Sequence, residues 1–78
     1  MMEKKLIEAD QLSQWLTDKM RKEPGCQSCL ILKVCKKDEA DGCNWCIAAF
    51  VSHDPEPEIV ADALVKVHSL AAERFNLT

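Results

Sequence analysis

The sequence predicts an α+β fold in which an antiparallel β-hairpin is covered on one face by two helices. Two observations lead to this prediction: an amphipathic helical pattern near each end of the chain, and two apolar runs between them that are separated by an Asp-Gly pair. The predicted order is helix, strand, strand, helix, and residues 1–78 form a single small domain. A chain of 78 residues is near the lower size limit for folding around one core.

The first helix is predicted from an apolar stripe that follows Asp10, a suitable N-cap. Pro24-Gly25 ends it, because proline cannot continue a helix and glycine permits the turn. Residues 2–7 precede the helix, and the sequence does not decide whether they form a short N-terminal strand. The stripe consists of Leu12, Trp15, Leu16 and Met20.

The hairpin strands are predicted over 29–35 and from about 44 to 51, and a polar turn over 37–42 ends in Asp41-Gly42. We expect Leu30, Leu32 and Val34 to face the helices. The outer face would then hold Cys29, Ile31, Cys35, Ala48 and Phe50.

The second helix is predicted after a run of helix-start residues. Asp54 or Glu56 caps it, and Pro55 or Pro57 occupies its first turn. Its apolar stripe consists of Val60, Leu64, Val67, Ala71 and Phe75.

A half-apolar outer face predicts a protein-interaction surface. A two-stranded sheet is marginal by itself, so residues 2–7 supply a third strand or a second chain supports the hairpin. Trp45 belongs either to the core or to this surface. We therefore expect self-association, or binding of a protein partner, through Ile31, Cys35, Trp45 and Phe50.

Two Cys-x-x-Cys pairs, Cys26/Cys29 and Cys43/Cys46, raise the alternative of a zinc ribbon, because four thiolates form a tetrahedral zinc site. The predicted hairpin argues against it. Cys29 would lie opposite Phe50 or a neighbour, which leaves Cys46 about 13 Å further along the strand. We therefore favour structural thiols and expect no cofactor.

Two weaker hypotheses use the same cysteines. One is a metal site formed by Cys26, Cys29 and His53, with Asp54 as a further ligand, because the first strand begins where the second ends. The other is thiol redox chemistry, which usually needs a Cys-x-x-Cys at a helix start and not before a strand. We also expect Cys35 to approach Cys43 or Cys46 across the hairpin, which would allow an adventitious disulfide in air.

Composition narrows the function classes. The net charge is −3 and the basic residues are dispersed, so no nucleic-acid partner is expected. No targeting segment or membrane span is seen, and five cysteines, an odd number, favour a reducing cytoplasm. No catalytic arrangement can be assembled from the motifs, so we expect a non-catalytic accessory or interaction module.

The segment Gly42-Cys43-Asn44-Trp45, with Asp41 before it, resembles the most distinctive part of a family of small bacterial proteins with no assigned activity. A Pro24-Gly25-Cys26 turn and an Arg74-Phe75-Asn76 ending are similar as well. The resemblance implies a bacterial cytosolic protein and transfers no chemistry.

Overall fold

The computed structural model describes residues 4–40 and 43–78. Within them, two helices and four strands follow one another along the chain. Their order is β1 (Lys5–Ile7), α1 (Ala9–Arg21), β2 (Leu30–Ala40), β3 (Cys43–Val51), α2 (Pro57–Arg74) and β4 (Phe75–Leu77). The α+β class and the antiparallel pairing of β2 with β3 are confirmed.

Helix α1 begins earlier than predicted. Glu8 is the N-cap residue, and its carbonyl oxygen accepts a hydrogen bond from the Leu12 amide at 2.9 Å. Asp10 therefore lies in the first turn, where its negative charge complements the helix dipole, and its predicted role as N-cap is wrong. Gly25 follows the helix with a φ of 78°, a left-handed conformation that favours glycine.

Helix α2 begins as one of the predicted alternatives, with Glu56 as N-cap and Pro57 as its first residue. It ends one residue before Phe75, which the apolar stripe had placed in the helix and which instead begins β4. Trp15, predicted to be core, is half-buried and packs edge-on against Phe75, with ring centroids 5.3 Å apart.

The hairpin contains irregularities that decide which side chains are buried. Ile31 pairs with Phe50 and Lys33 with Ala49, so Leu32 is an extra residue in β2. A bulge of this kind reverses the alternation of the strand. The predicted inward orientation of Leu30 and Leu32 is therefore wrong, since both are exposed while Ile31 is buried.

The turn predicted over 37–42 is shorter than expected, because β2 continues to Ala40 and β3 starts at Cys43. The Asp41-Gly42 pair itself lies outside the described residues, as do residues 2 and 3 of the predicted N-terminal strand.

The N-terminal strand exists, but it does not join the hairpin. β1 pairs in parallel with β4, a strand that the sequence analysis did not predict. The Asn44 side chain links this pair to β3: its Nδ2 donates to the Leu77 carbonyl at 3.1 Å and its Oδ1 accepts from the Leu77 amide at 2.8 Å. Trp45 Nε1 also donates to the Phe75 carbonyl at 3.0 Å.

A single core joins both helices to the inner side of the hairpin, and Leu77 of β4 extends it. No helix in the described ranges is both long and apolar enough to cross a bilayer. The helices contribute Leu12, Leu16, Met20, Val60, Val67 and Ala71, and the hairpin contributes Ile31, Val34, Cys43 and Trp45.

Candidate functional site

The first cysteine pair lies in the connection between α1 and β2. Two backbone hydrogen bonds fold this segment into consecutive turns, from the Cys26 amide to the Glu23 carbonyl and from the Cys29 amide to the Cys26 carbonyl, both at 3.2 Å. Arg21 Nε of α1 donates to the Cys29 carbonyl at 3.1 Å. These contacts direct both thiols into the core, where each is 0% exposed.

The environment of this pair keeps its thiols protonated. Burial raises the pKa of Cys26, and the negative charge of Asp54 adds to the effect. Burial also raises the pKa of Cys29, and the electrostatic effects of Cys26 and then of Asp54 raise it further. A redox-active Cys-x-x-Cys needs the opposite shift, because the thiolate is the nucleophile. The pair therefore behaves as buried apolar side chains.

The second cysteine pair is divided between the two faces of the hairpin. Cys43 is buried, and its Sγ donates to the Trp45 carbonyl at 3.4 Å. Cys46, three residues later in the same extended strand, is half-buried and lies directly opposite Cys35 of β2. Directly opposite residues in an antiparallel pair project to the same face, so Cys35 and Cys46 are neighbours.

The register separates the four sulfurs of the zinc-ribbon hypothesis. Cys46 lies opposite Cys35 of β2. Cys29 immediately precedes Leu30, and Leu30 is five residues from Cys35, which is about 16 Å at the rise of a strand. Within residues 4–40 and 43–78, no group of three or more His, Cys, Asp or Glu residues is placed to hold a metal ion. Neither this arrangement nor the Cys26, Cys29, His53 alternative gains support from the geometry.

The segment around His53 does meet the first cysteine pair, as the order of the strands predicts. The His53 amide donates to Ser28 Oγ at 2.9 Å, and Asp54 Oδ1 accepts from the Ser28 amide at 3.3 Å. However, the His53 side chain is exposed while the thiols are buried. Hydrogen bonds from Ser52 Oγ, and then from Ser28, lower the pKa of Asp54, so this carboxylate holds the loop as a hydrogen-bond acceptor.

An exposed aliphatic cluster lies at the open end of the hairpin, and we name it the outer patch. It consists of Leu30, Leu32 and Val51, which are 37%, 53% and 41% exposed. Leu30 and Val51 pair directly, so they share one face of the sheet. The Leu32 bulge produced this patch, and alternation alone could not have revealed it.

The structure redistributes the predicted interaction surface. Ile31 is buried, at 3% exposure, so its predicted place on an outer surface is wrong, and Trp45, at 0%, belongs to the core, which was one of its two predicted places. Ile31 faces inward because of the bulge beside it, and Trp45 because its indole nitrogen bonds to the Phe75 carbonyl. Phe50 is exposed and Cys35 is half-buried.

A shallow groove of about 450 Å³ lies between β3 and α2. His68, on its helix wall, stacks at a tilt on Trp45 with ring centroids 4.8 Å apart. Burial, followed by the positive charge of Lys37, lowers the pKa of His68, so the imidazole is neutral at pH 7. The lining is mostly apolar: Cys46, Ile47, Ala48, Phe50, Leu64, Val65, His68 and Ser69.

The sequence analysis did not identify two structural features near this site. It did not identify Asn44 as the link between hairpin and β4, although a polar residue within an apolar run signals such a role. It also did not identify the groove beside His68, since a cavity depends on how two distant elements pack. Comparison of the chain with protein-family models, curated proteins and solved structures found no match.

Proposed function

We propose that this chain is a small, non-catalytic interaction protein of the cytoplasm that self-associates through the outer patch. The observation that carries the proposal is the cluster of three exposed aliphatic side chains on one end of a two-stranded sheet. Clustered apolar side chains of this kind are a feature of interaction surfaces, whereas isolated ones are common on any monomer.

A second copy of the chain fits this patch better than pairing along the strand edge. Strand β2 carries Lys33 and Lys37 on either side of Cys35, so an antiparallel pairing of two β2 edges centred on Cys35 would place these like charges opposite each other. Face-to-face contact instead buries identical aliphatic clusters about a twofold axis, the commonest symmetry of homodimers. Burial of the three side chains then supplies the driving force.

The size of the outer patch determines how strong the self-association is expected to be. A stable interface buries about 800 Å² on each partner, far more than three side chains provide. The dimer is therefore weak and forms at high protein concentration. A cytoplasmic location is supported by the five cysteines, an odd number that a fully paired disulfide scaffold would not have.

Sedimentation velocity over a range of concentrations tests this proposal. We expect the mean mass to rise from the monomer value toward the dimer value as the concentration increases. The Leu32→Lys variant should weaken the association at least about tenfold, because a charge would be buried without a partner.

Leu6→Lys is the matched control, since Leu6 is also exposed, at 69%, but lies on β1 away from the patch. It should associate like the wild type. A monomer mass for the wild type at every concentration would refute self-association, and equal effects of both variants would place the interface elsewhere.

A further inference from the structure

We propose that Cys35 and Cys46 are a modification site at which a small disulfide, such as oxidised glutathione, produces a reversible cross-strand disulfide. The two residues are direct partners in the β2–β3 register. Directly opposite residues in antiparallel strands have Cα atoms about 4.5 or 5.5 Å apart. Disulfides span Cα distances of about 4.4–6.8 Å, so the bond forms without moving the strands apart.

Exposure distinguishes this pair from the other three thiols. Cys35 and Cys46 are half-buried, whereas Cys26, Cys29 and Cys43 are at most 1% exposed. A glutathione-sized reagent must reach a sulfur to react with it, and access is one determinant of thiol exchange. Reaction therefore begins at Cys35 or Cys46, and the partner thiol lies on the same face.

The reaction balances in two exchange steps. The thiolate of one cysteine attacks a sulfur of oxidised glutathione, which forms a mixed disulfide and releases one glutathione thiolate. The thiolate of the second cysteine then attacks the protein sulfur of that mixed disulfide and releases the second glutathione. The protein loses two protons and two electrons, and one oxidised glutathione becomes two reduced molecules.

The inference is independent of self-association. Cys35 lies three residues beyond Leu32, the nearest β2 residue of the outer patch, which is about 10 Å along the strand. A monomeric Leu32→Lys protein should therefore form the same disulfide. Absence of self-association and absence of the disulfide can therefore be observed independently of each other.

Peptide mapping after treatment with oxidised glutathione tests the site. Protein at low concentration is oxidised, free thiols are blocked at acidic pH, and the sample is cut with trypsin and chymotrypsin without reduction. Cleavage after Trp45 separates Cys43 from Cys46. We expect the peptide 34–36 to be joined to the peptide 46–50, and the intact mass to fall by two hydrogens.

Variants and alternative products make the outcome decisive. Cys43→Ser should retain the disulfide, whereas Cys35→Ser should abolish it and leave glutathione attached to Cys46. A stable mixed disulfide as the main wild-type product would overturn the proposal. A bond from Cys35 to Cys43, or between two chains, would do the same.

Discussion

The two Cys-x-x-Cys pairs have the same spacing and opposite structural consequences. Cys26 and Cys29 are both completely buried in the connection before β2. Cys43 and Cys46, at the same separation, are split between the interior and the outer side of the hairpin. The motif therefore predicts chemistry only together with the backbone conformation that carries it.

Backbone geometry explains the difference. The first pair lies in a turn, with the Cys29 amide bonded to the Cys26 carbonyl, so residues three apart can point the same way. The second pair lies in an extended strand, where side chains alternate and residues three apart project to opposite faces. A metal site built from both pairs needs the turn conformation at each of them. This chain has it at Cys26/Cys29 and not at Cys43/Cys46.

Replacing one thiol in each environment should produce the largest contrast. We expect Cys29→Ser to lower the free energy of unfolding by about 1–3 kcal/mol, because it buries a hydroxyl in place of a thiol in the core. Cys46→Ser should stay within about 0.5 kcal/mol of the wild type, since that position is half-buried. Urea titration of both variants measures this, and equal losses would contradict the comparison.

Within the second pair, Cys43→Ser should have an intermediate effect. We expect a loss of about 1 kcal/mol in the free energy of unfolding, because a serine hydroxyl can keep the hydrogen bond that Cys43 Sγ makes to the Trp45 carbonyl. A four-thiolate zinc site would instead collapse when one ligand is removed. Metal content of protein purified without chelator, measured beside the urea midpoint, separates the two accounts.

Asp54, beside the first pair, should produce the smallest effect, and one that depends on pH. Its folded-state pKa is lowered by the Ser52 and Ser28 hydrogen bonds, while the unfolded value is about 3.9. The carboxylate therefore stabilises the fold above the unfolded pKa, and this contribution is lost as the pH falls through the lower folded pKa.

The difference in unfolding free energy between the wild type and Asp54→Asn should therefore shrink as the pH is lowered below about 4. Chemical denaturation from pH 5 to pH 3 measures that difference. Asp62→Asn, at an exposed position on α2, is the control for removing one carboxylate. A constant difference for Asp54→Asn would show that the hydrogen bonds do not depend on its charge.

Much of the fold could be predicted from local patterns. The stripes of α1 and α2 place Leu12, Leu16 and Val67 in the core, because the helical repeat needs only nearby residues. The antiparallel pairing also followed from two apolar runs around a turn signal. The candidate site was harder to predict: Ile31 was placed on the surface and Trp45 either on the surface or in the core, and the structure buries both.

The sequence by itself determined the α+β class, both helices and the pairing of the central strands, since each depends on periodicity and capping within a few residues. Only the tertiary structure decided which face of β2 is buried, because one bulge at Leu32 reverses the strand's alternation. It also decided that β1 pairs with β4, a contact between the two ends of the chain that no local pattern encodes.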